Sequence, residues 1–155
     1  MIEAVLEKWE ALIQGKHGGD SNALLDDLLA DDVVFLSPVV FTPQEGKAVT
    51  KLYLGAAGAT FGGDDPAEGE TAKSEKTQGG FRYIKKVVSG NHAVLEFETT
   101  MRGKYVNGVD IVTCNDEGKI TEFKVMIRPL QAVNAVHAAM GAMLKKMQGG
   151  SEEAA

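Results

Sequence analysis

One stretch, Val106 to Arg128, limits the architecture more than any other. It reads Val106-Asn-Gly-Val-Asp110-Ile-Val-Thr-Cys114, then Asn115-Asp-Glu-Gly118, then Lys119-Ile-Thr-Glu-Phe-Lys-Val-Met-Ile-Arg128. Two alternating runs around an Asn/Asp/Gly turn predict a β-hairpin. Asp110 lies between Val109 and Ile111, so strand alternation puts it on the opposite face from both. It shares its own face with Val106, Val112 and Cys114. A carboxylate on a mostly apolar face must pair, take up a proton or meet a ligand.

The 155 residues are enough for one domain with a real core and too few for two ordinary ones. The expected domain covers 1–148, with a mobile loop over 61–80 and a disordered tail over 149–155. A formal net charge of -6 speaks against a nucleic-acid partner, which would need an excess of Lys and Arg. Cys114 is the single cysteine, so no intramolecular disulfide forms and a reducing compartment fits. Its strand position points to a buried thiol. The first residues, Met1-Ile-Glu-Ala-Val-Leu-Glu-Lys-Trp9, lack the apolar core of a signal peptide. No run reaches the ~18 apolar residues that a membrane span needs. The expected location is the cytoplasm, without a membrane partner.

Elsewhere the pattern changes period. Ile2, Val5, Leu6, Trp9, Leu12 and Ile13 recur at helical spacing. Asp20 or Ser21 caps a second helix through Leu24, Leu25, Leu28 and Leu29. Val33 to Leu36 is a short strand that ends at Ser37-Pro38. Thr42-Pro-Gln-Glu45 reads as a capping box opening a third helix, which fades at Gly55 to Gly58. Phe81–Ser89 and His92–Met101 are two further strands joined at Gly90-Asn91. After Pro129 a final helix carries Leu130, Val133, Val136, Met140, Met143, Leu144 and Met147. The expected fold class is α+β: helices on one face of a curved antiparallel sheet.

This order, with Leu29-Ala-Asp-Asp-Val-Val-Phe-Leu-Ser-Pro38 and Gly108-Val-Asp-Ile-Val-Thr-Cys-Asn-Asp-Glu-Gly-Lys-Ile120, resembles the NTF2-like (SnoaL-like, cystatin-fold cone) superfamily. That superfamily includes ketosteroid isomerases, limonene epoxide hydrolases and polyketide cyclases. The resemblance covers roughly residues 2 to 130. It implies a cone with a pocket between the sheet and the helices. In steroid-isomerase members three positions carry the chemistry. The oxyanion-hole tyrosine of the first helix falls on Trp9, the base aspartate on Ser37, and the protonated second acid on Asp110. A serine hydroxyl cannot replace a carboxylate base at neutral pH, so the familiar isomerisation is not expected. The paired Asp and Arg of the hydrolases are not evident.

With the family's register, Phe97, Thr99, Met101, Phe123, Val125 and Ile127 face inward beside Asp110. Asp110 is then the expected proton donor or shuttle, and His137 the expected second proton carrier. The expected ligand-binding residues are Trp9, Phe35, Ser37, Tyr53, Phe97, Met101, Val112, Phe123, Val125 and Ile127. Trp9 and Tyr53 would orient an oxygen, and Ser37 would hold a water. For Asp110 the competing reading is a structural acid bonded to Trp9, Tyr53 or backbone; for His137 it is a helix-packing histidine. Glu96, Glu98, Glu122, Lys124 and Arg128 would share the outer face with Val94, Val109, Ile111 and Met126. A homodimer through the sheet would cover that face. His17 and His92 sit at turns, the three histidines have no metal-ligand spacing, and no metal or cofactor is expected. Two functions stay open. One is binding of a small, largely apolar molecule in the cone, with acid/base chemistry (isomerase, hydratase or cyclase type) through Asp110. The other is a non-catalytic dimerisation or binding module with a filled cone.

Overall fold

The computed structural model describes residues 2–15, 18–60 and 80–147. The loop expected over 61–80, apart from Gly80, and the tail expected over 149–155 lie outside the described residues, as does His17. The element order is α1 (Ile2–Ile13), α2 (Ser21–Leu28), β1 (Leu29–Leu36), β2 (Gln44–Glu45), α3 (Lys47–Thr60), β3 (Arg82–Ser89), β4 (His92–Met101), β5 (Lys104–Cys114), β6 (Ile120–Arg128) and α4 (Leu130–Met147). The described strands form a curved, unclosed sheet in the order β2-β1-β6-β5-β4-β3.

The hairpin forms as its sequence dictates. Asn115 Oδ1 accepts from the N–H groups of Glu117 and Lys119, and Gly118 takes the positive φ of 77° that closes the turn. β5 pairs antiparallel with β4 and β6, placing Leu95 and Val125 on either side of Asp110. β1 is the exception to the antiparallel expectation. It joins β6 in parallel, Phe35 opposite Phe123, because α2 and the first strand approach from the far end of the sheet.

α2 begins where Asp20 accepts from the Asn22 N–H, so aspartate is the cap. The expected capping box at Thr42–Glu45 does not open α3. The backbone of Gln44 and Glu45 pairs with Phe35 and Val34 as an edge strand instead. Gly46 then reverses the chain at φ 107°, donating to Val33 O at 2.8 Å, and α3 starts at Lys47. A residue in that left-handed region cannot continue a helix, which moves the start past the box. α3 also runs on through Gly55 and Gly58 to Thr60. Burial of Leu54 and Ala56 offsets the glycine cost of about 1 kcal/mol each.

The core lies between the concave face of the sheet and the helices. Leu95, Phe97, Val106, Val112, Ile120 and Phe123 are buried from the sheet, and Ile2, Val5, Leu6 and Trp9 from α1. α4 buries Ala132, Val136, Ala139 and Met140. Leu130, expected in that stripe, is 73% exposed. Phe97 lies directly over Gly108, whose missing side chain makes the room: a Cβ there would sit 2.4 Å from Met126 O and 2.7 Å from Phe97 Cζ. Among the described residues no helix is long and apolar enough to cross a membrane.

Candidate functional site

Between sheet and helices the fold leaves a cavity of about 650 Å3. Aromatic rings pave it. Trp9 meets Phe123 edge-on at 5.1 Å, Phe35 lies 5.4 Å from Tyr53, and Phe81 stacks on Phe97 at 4.9 Å. The roof comes from α3 and α4. α3 turns Gly55, Ala57 and Gly58 to the space, and these small residues are one reason the cone stays hollow. Ser37, Pro38, Val39 and Val40 close one side.

Asp110 sits in the floor and is 5% exposed. Its Oδ2 accepts a 2.5 Å hydrogen bond from the Tyr83 hydroxyl. Tyr83 Oη in turn accepts from the Trp9 indole N–H at 2.9 Å. Three residues from α1, β3 and β5 thus form one chain. Oδ1 of Asp110 has no partner among the described residues and faces the cavity. Burial drives the Asp110 carboxyl up to about 7, only partly opposed by the Tyr83 hydrogen bond, which favours the anion. The Tyr83 hydroxyl is raised well above its ordinary value by burial and by the neighbouring carboxylate. A carboxyl group that titrates near neutrality can both give and take a proton there.

Of the residues expected from sequence, Trp9, Phe35, Ser37, Tyr53, Phe97, Asp110, Phe123, Val125 and His137 all line this cavity. Met101, Val112 and Ile127 do not. Met101 and Val112 are buried in packed core away from the space, and Ile127 sits half-buried beside Gly108 near the end of β6. The competing reading for Asp110 named Trp9, Tyr53 or backbone as its partner; the group that bonds it is the Tyr83 hydroxyl. Trp9 reaches Asp110 only through that phenol. Ser37 is engaged in its own loop, where Oγ accepts from the N–H groups of Val39 and Val40 at 3.1 and 3.3 Å. It shapes the 37–40 turn while lining the cavity. His137 is exposed at the rim. His92 is exposed on the outer face, its Nδ1 3.1 Å from Thr113 Oγ1. Cys114 is a buried free thiol, raised by desolvation. Among the described residues no group of His, Cys, Asp and Glu is arranged to hold a metal ion.

Sequence reasoning missed Tyr83. Its signal was present: an aromatic with a polar tip, two residues after Phe81 and on the strand beside Phe97. A β-bulge at Ile84 hid its orientation, since Tyr83 pairs with Phe97 and Lys85 with Glu96.

The outer face carries the expected charges. Arg82 pairs with Glu98 at 2.5 Å, and Tyr105 donates to the other Glu98 oxygen. Asn107 donates to Glu96 and accepts from Arg128.

No protein-family model and no curated protein matches the chain. Solved structures do. A steroid delta-isomerase from Pseudomonas aeruginosa is 28% identical, with a TM-score of 0.77 over 95% of this chain and 93% of that one. An uncharacterised protein with a cystatin-like fold from Silicibacter pomeroyi is 29% identical, with a TM-score of 0.69 over 89% and 83%. An NTF2-like protein of unknown function from Mesorhizobium loti shares the fold at 17% identity, with a TM-score of 0.62 over 83% and 91%. The protein is therefore an α+β cone of the NTF2-like superfamily fold.

Proposed function

We propose that this protein binds a small, largely apolar molecule bearing an oxygen, and that Asp110 performs acid/base chemistry on it. The observation that carries the reading is a carboxyl group with a bare oxygen in the floor of an apolar cavity. At about 650 Å3 the space is within the range of small-molecule sites, roughly 300–1,000 Å3. The similarity to a steroid delta-isomerase supports a ligand of polycyclic, steroid-like character. Ser37 falls at the position of that family's base, so the reading assigns proton transfer to Asp110. The reaction class is isomerisation, hydration or cyclisation. The alternative, a non-catalytic module with a plugged cone, needs Trp9, Phe97 and α4 to fill the interior. The open space between them supports the binding reading instead.

The test is a melting-temperature screen against apolar alcohols, ketones and epoxides, because a ligand that prefers the folded state raises its stability. Trp9, the single tryptophan, lines the cavity and reports occupancy by its fluorescence. Hits should change both signals. Asp110→Asn should abolish turnover of any substrate found while still binding it. A panel in which no compound moves either signal defeats the binding reading, and retained turnover in Asp110→Asn defeats the catalytic one.

The outer face extends the proposal to a homodimer. Val87 and Met126 are 55% and 50% exposed, and Val94, Val109 and Ile111 lie half-buried among paired charges. A second copy laid across this face would cover the apolar strip. Sedimentation should give a dimer, and Val87→Lys with Met126→Lys should give a folded monomer. A wild-type monomer at all concentrations ends this part.

A further inference from the structure

The hydrogen-bond chain in the cavity floor has a direction. An indole N–H can only donate, so Trp9 occupies a lone pair of Tyr83 Oη and can receive nothing back. Tyr83 owns one proton, and at 2.5 Å that proton lies toward Asp110 Oδ2. The donors of the chain are therefore spent within it when Asp110 is ionised. What remains for a ligand is Oδ1 of Asp110, an acceptor. When the carboxyl gains a proton, the floor has one donor more than its internal bonds require, and it can offer that donor to the cavity.

We propose that Asp110 Oδ1 is the recognition atom for the ligand's oxygen, and that Trp9, acting through Tyr83, makes it an acceptor selective for hydroxyl-bearing apolar molecules over the corresponding ketones until protonation reverses the preference. This rests on the cavity being the binding site. It adds the ligand's functional group and the residue that sets the site's polarity. Trp9 is a positioning residue here, because it acts on the ligand through Tyr83 and Asp110.

Few charges compete with this assignment. From α1 the nearest titratable group is Glu10, which bears on Tyr83 and is itself paired with Lys86 of β3 at 2.8 Å. From α3, Lys51 and Tyr53 line the cavity, Lys51 being paired with Asp26 of α2. From α4, His137 stands at the rim. The charged residues of β4 and β6 (Glu96, Glu98, Glu122, Lys124) belong to the outer face by register. Burial and the Tyr83 hydroxyl are what act on the Asp110 carboxyl.

The experiment is titration calorimetry of the intact chain with menthol, menthone and menthane, and with cyclododecanol and cyclododecanone, at about pH 5.5 and about pH 8.5. A hydrogen bond to a charged acceptor exceeds a neutral one by roughly 1.4 kcal/mol or more, so the alcohol-to-ketone affinity ratio should rise about tenfold or more toward alkaline pH. Asp110→Asn should flatten that dependence. Trp9→Phe keeps the apolar ring but removes the N–H, so Tyr83 donates less strongly and the midpoint of the pH profile moves up. Tyr83→Phe removes the donor itself and should move the midpoint up further. An affinity ratio that is the same at both pH values in the wild type overturns the inference and leaves the cavity reading standing. If no compound binds, menthane included, both fall. A folded Trp9→Phe with an unmoved midpoint removes Trp9 from the assignment.

Discussion

Replacing Asp110 by Asn should make the protein more stable in alkaline solution, and the gain should vanish in acid. The carboxyl rises from 3.8 to about 7 on folding because it is buried. Its folded-state value lies above its unfolded value, so the folded chain holds the proton more tightly. That preference contributes stability in full below about pH 4 and loses it as pH climbs to about 7. At about 1.4 kcal/mol per pH unit, the interval from 3.8 to about 7 corresponds to about 4 kcal/mol. Only part of it falls inside a practical window. Between about pH 5 and about pH 9 the loss is about 3 kcal/mol. Asparagine has the same shape, can accept from Tyr83 through its amide oxygen, and does not titrate. The assay is urea unfolding of both proteins across that window, reading the difference in unfolding free energy at each pH. Taking the difference cancels the other titrations, such as Asp26, whose hydrogen bond from Lys51 holds it below its ordinary value. The wild type should lose about 3 kcal/mol relative to Asp110→Asn from acid to alkali. A flat difference would mean that Asp110 is solvated. A difference of the opposite slope would mean that the site stabilises the anion, and the desolvation argument would be wrong.

Other consequences follow from individual contacts. Gly108→Ala should cost about 1–3 kcal/mol in chemical denaturation, since its Cβ would overlap Met126 O and the Phe97 ring; a neutral result would mean the strand moves aside freely. Ser37→Ala should cost about 1 kcal/mol through the loss of two bonds to the 37–40 backbone, with calorimetric affinity for any cavity ligand little changed. Arg82→Ala, which removes an exposed pair with Glu98, should shift stability by less than about 1 kcal/mol; a larger loss by urea melt would indicate that the outer face is covered.

The fold was legible where local chemistry and pattern agree. The Asn115 turn, the alternation of β4 and β5, and the Asp20 cap each follow from short-range bonding that a single chain displays. It was less legible where tertiary pairing overrode a local signal. The capping box of Thr42–Glu45 is a sound helix start in isolation, yet β1 leaves an open edge and Gln44-Glu45 fills it. The parallel union of β1 with β6 depends on where α2 delivers the chain, which no spacing in the sequence encodes.

Asp110 could be found from sequence because its surroundings along the strand are apolar, and the cost of a buried carboxylate is a property of one residue and its face. Tyr83 could not, because its role depends on phase. From Phe81 onward the run Phe-Arg-Tyr-Ile-Lys-Lys-Val-Val has bulky apolar residues at both parities, so simple alternation assigns neither face. The bulge at Ile84 breaks the phase, putting Tyr83 inward and Lys85 outward, while Lys86 reaches Glu10 of α1. Tyr83 and Lys86 lie three residues apart, a spacing that strict alternation would split between the two faces, and the bulge brings both to the helix side. Deleting Ile84 would restore strict alternation with Tyr83 and Lys86 two residues apart, so both should keep the helix-side face. The deletion should therefore keep both the Tyr83–Asp110 hydrogen bond and the Lys86–Glu10 pair. A urea melt with the Asp110 pH profile checks this: an unmoved midpoint means that the phenol still bonds Asp110, and a raised one would mean that the shortened strand re-pairs and loses it.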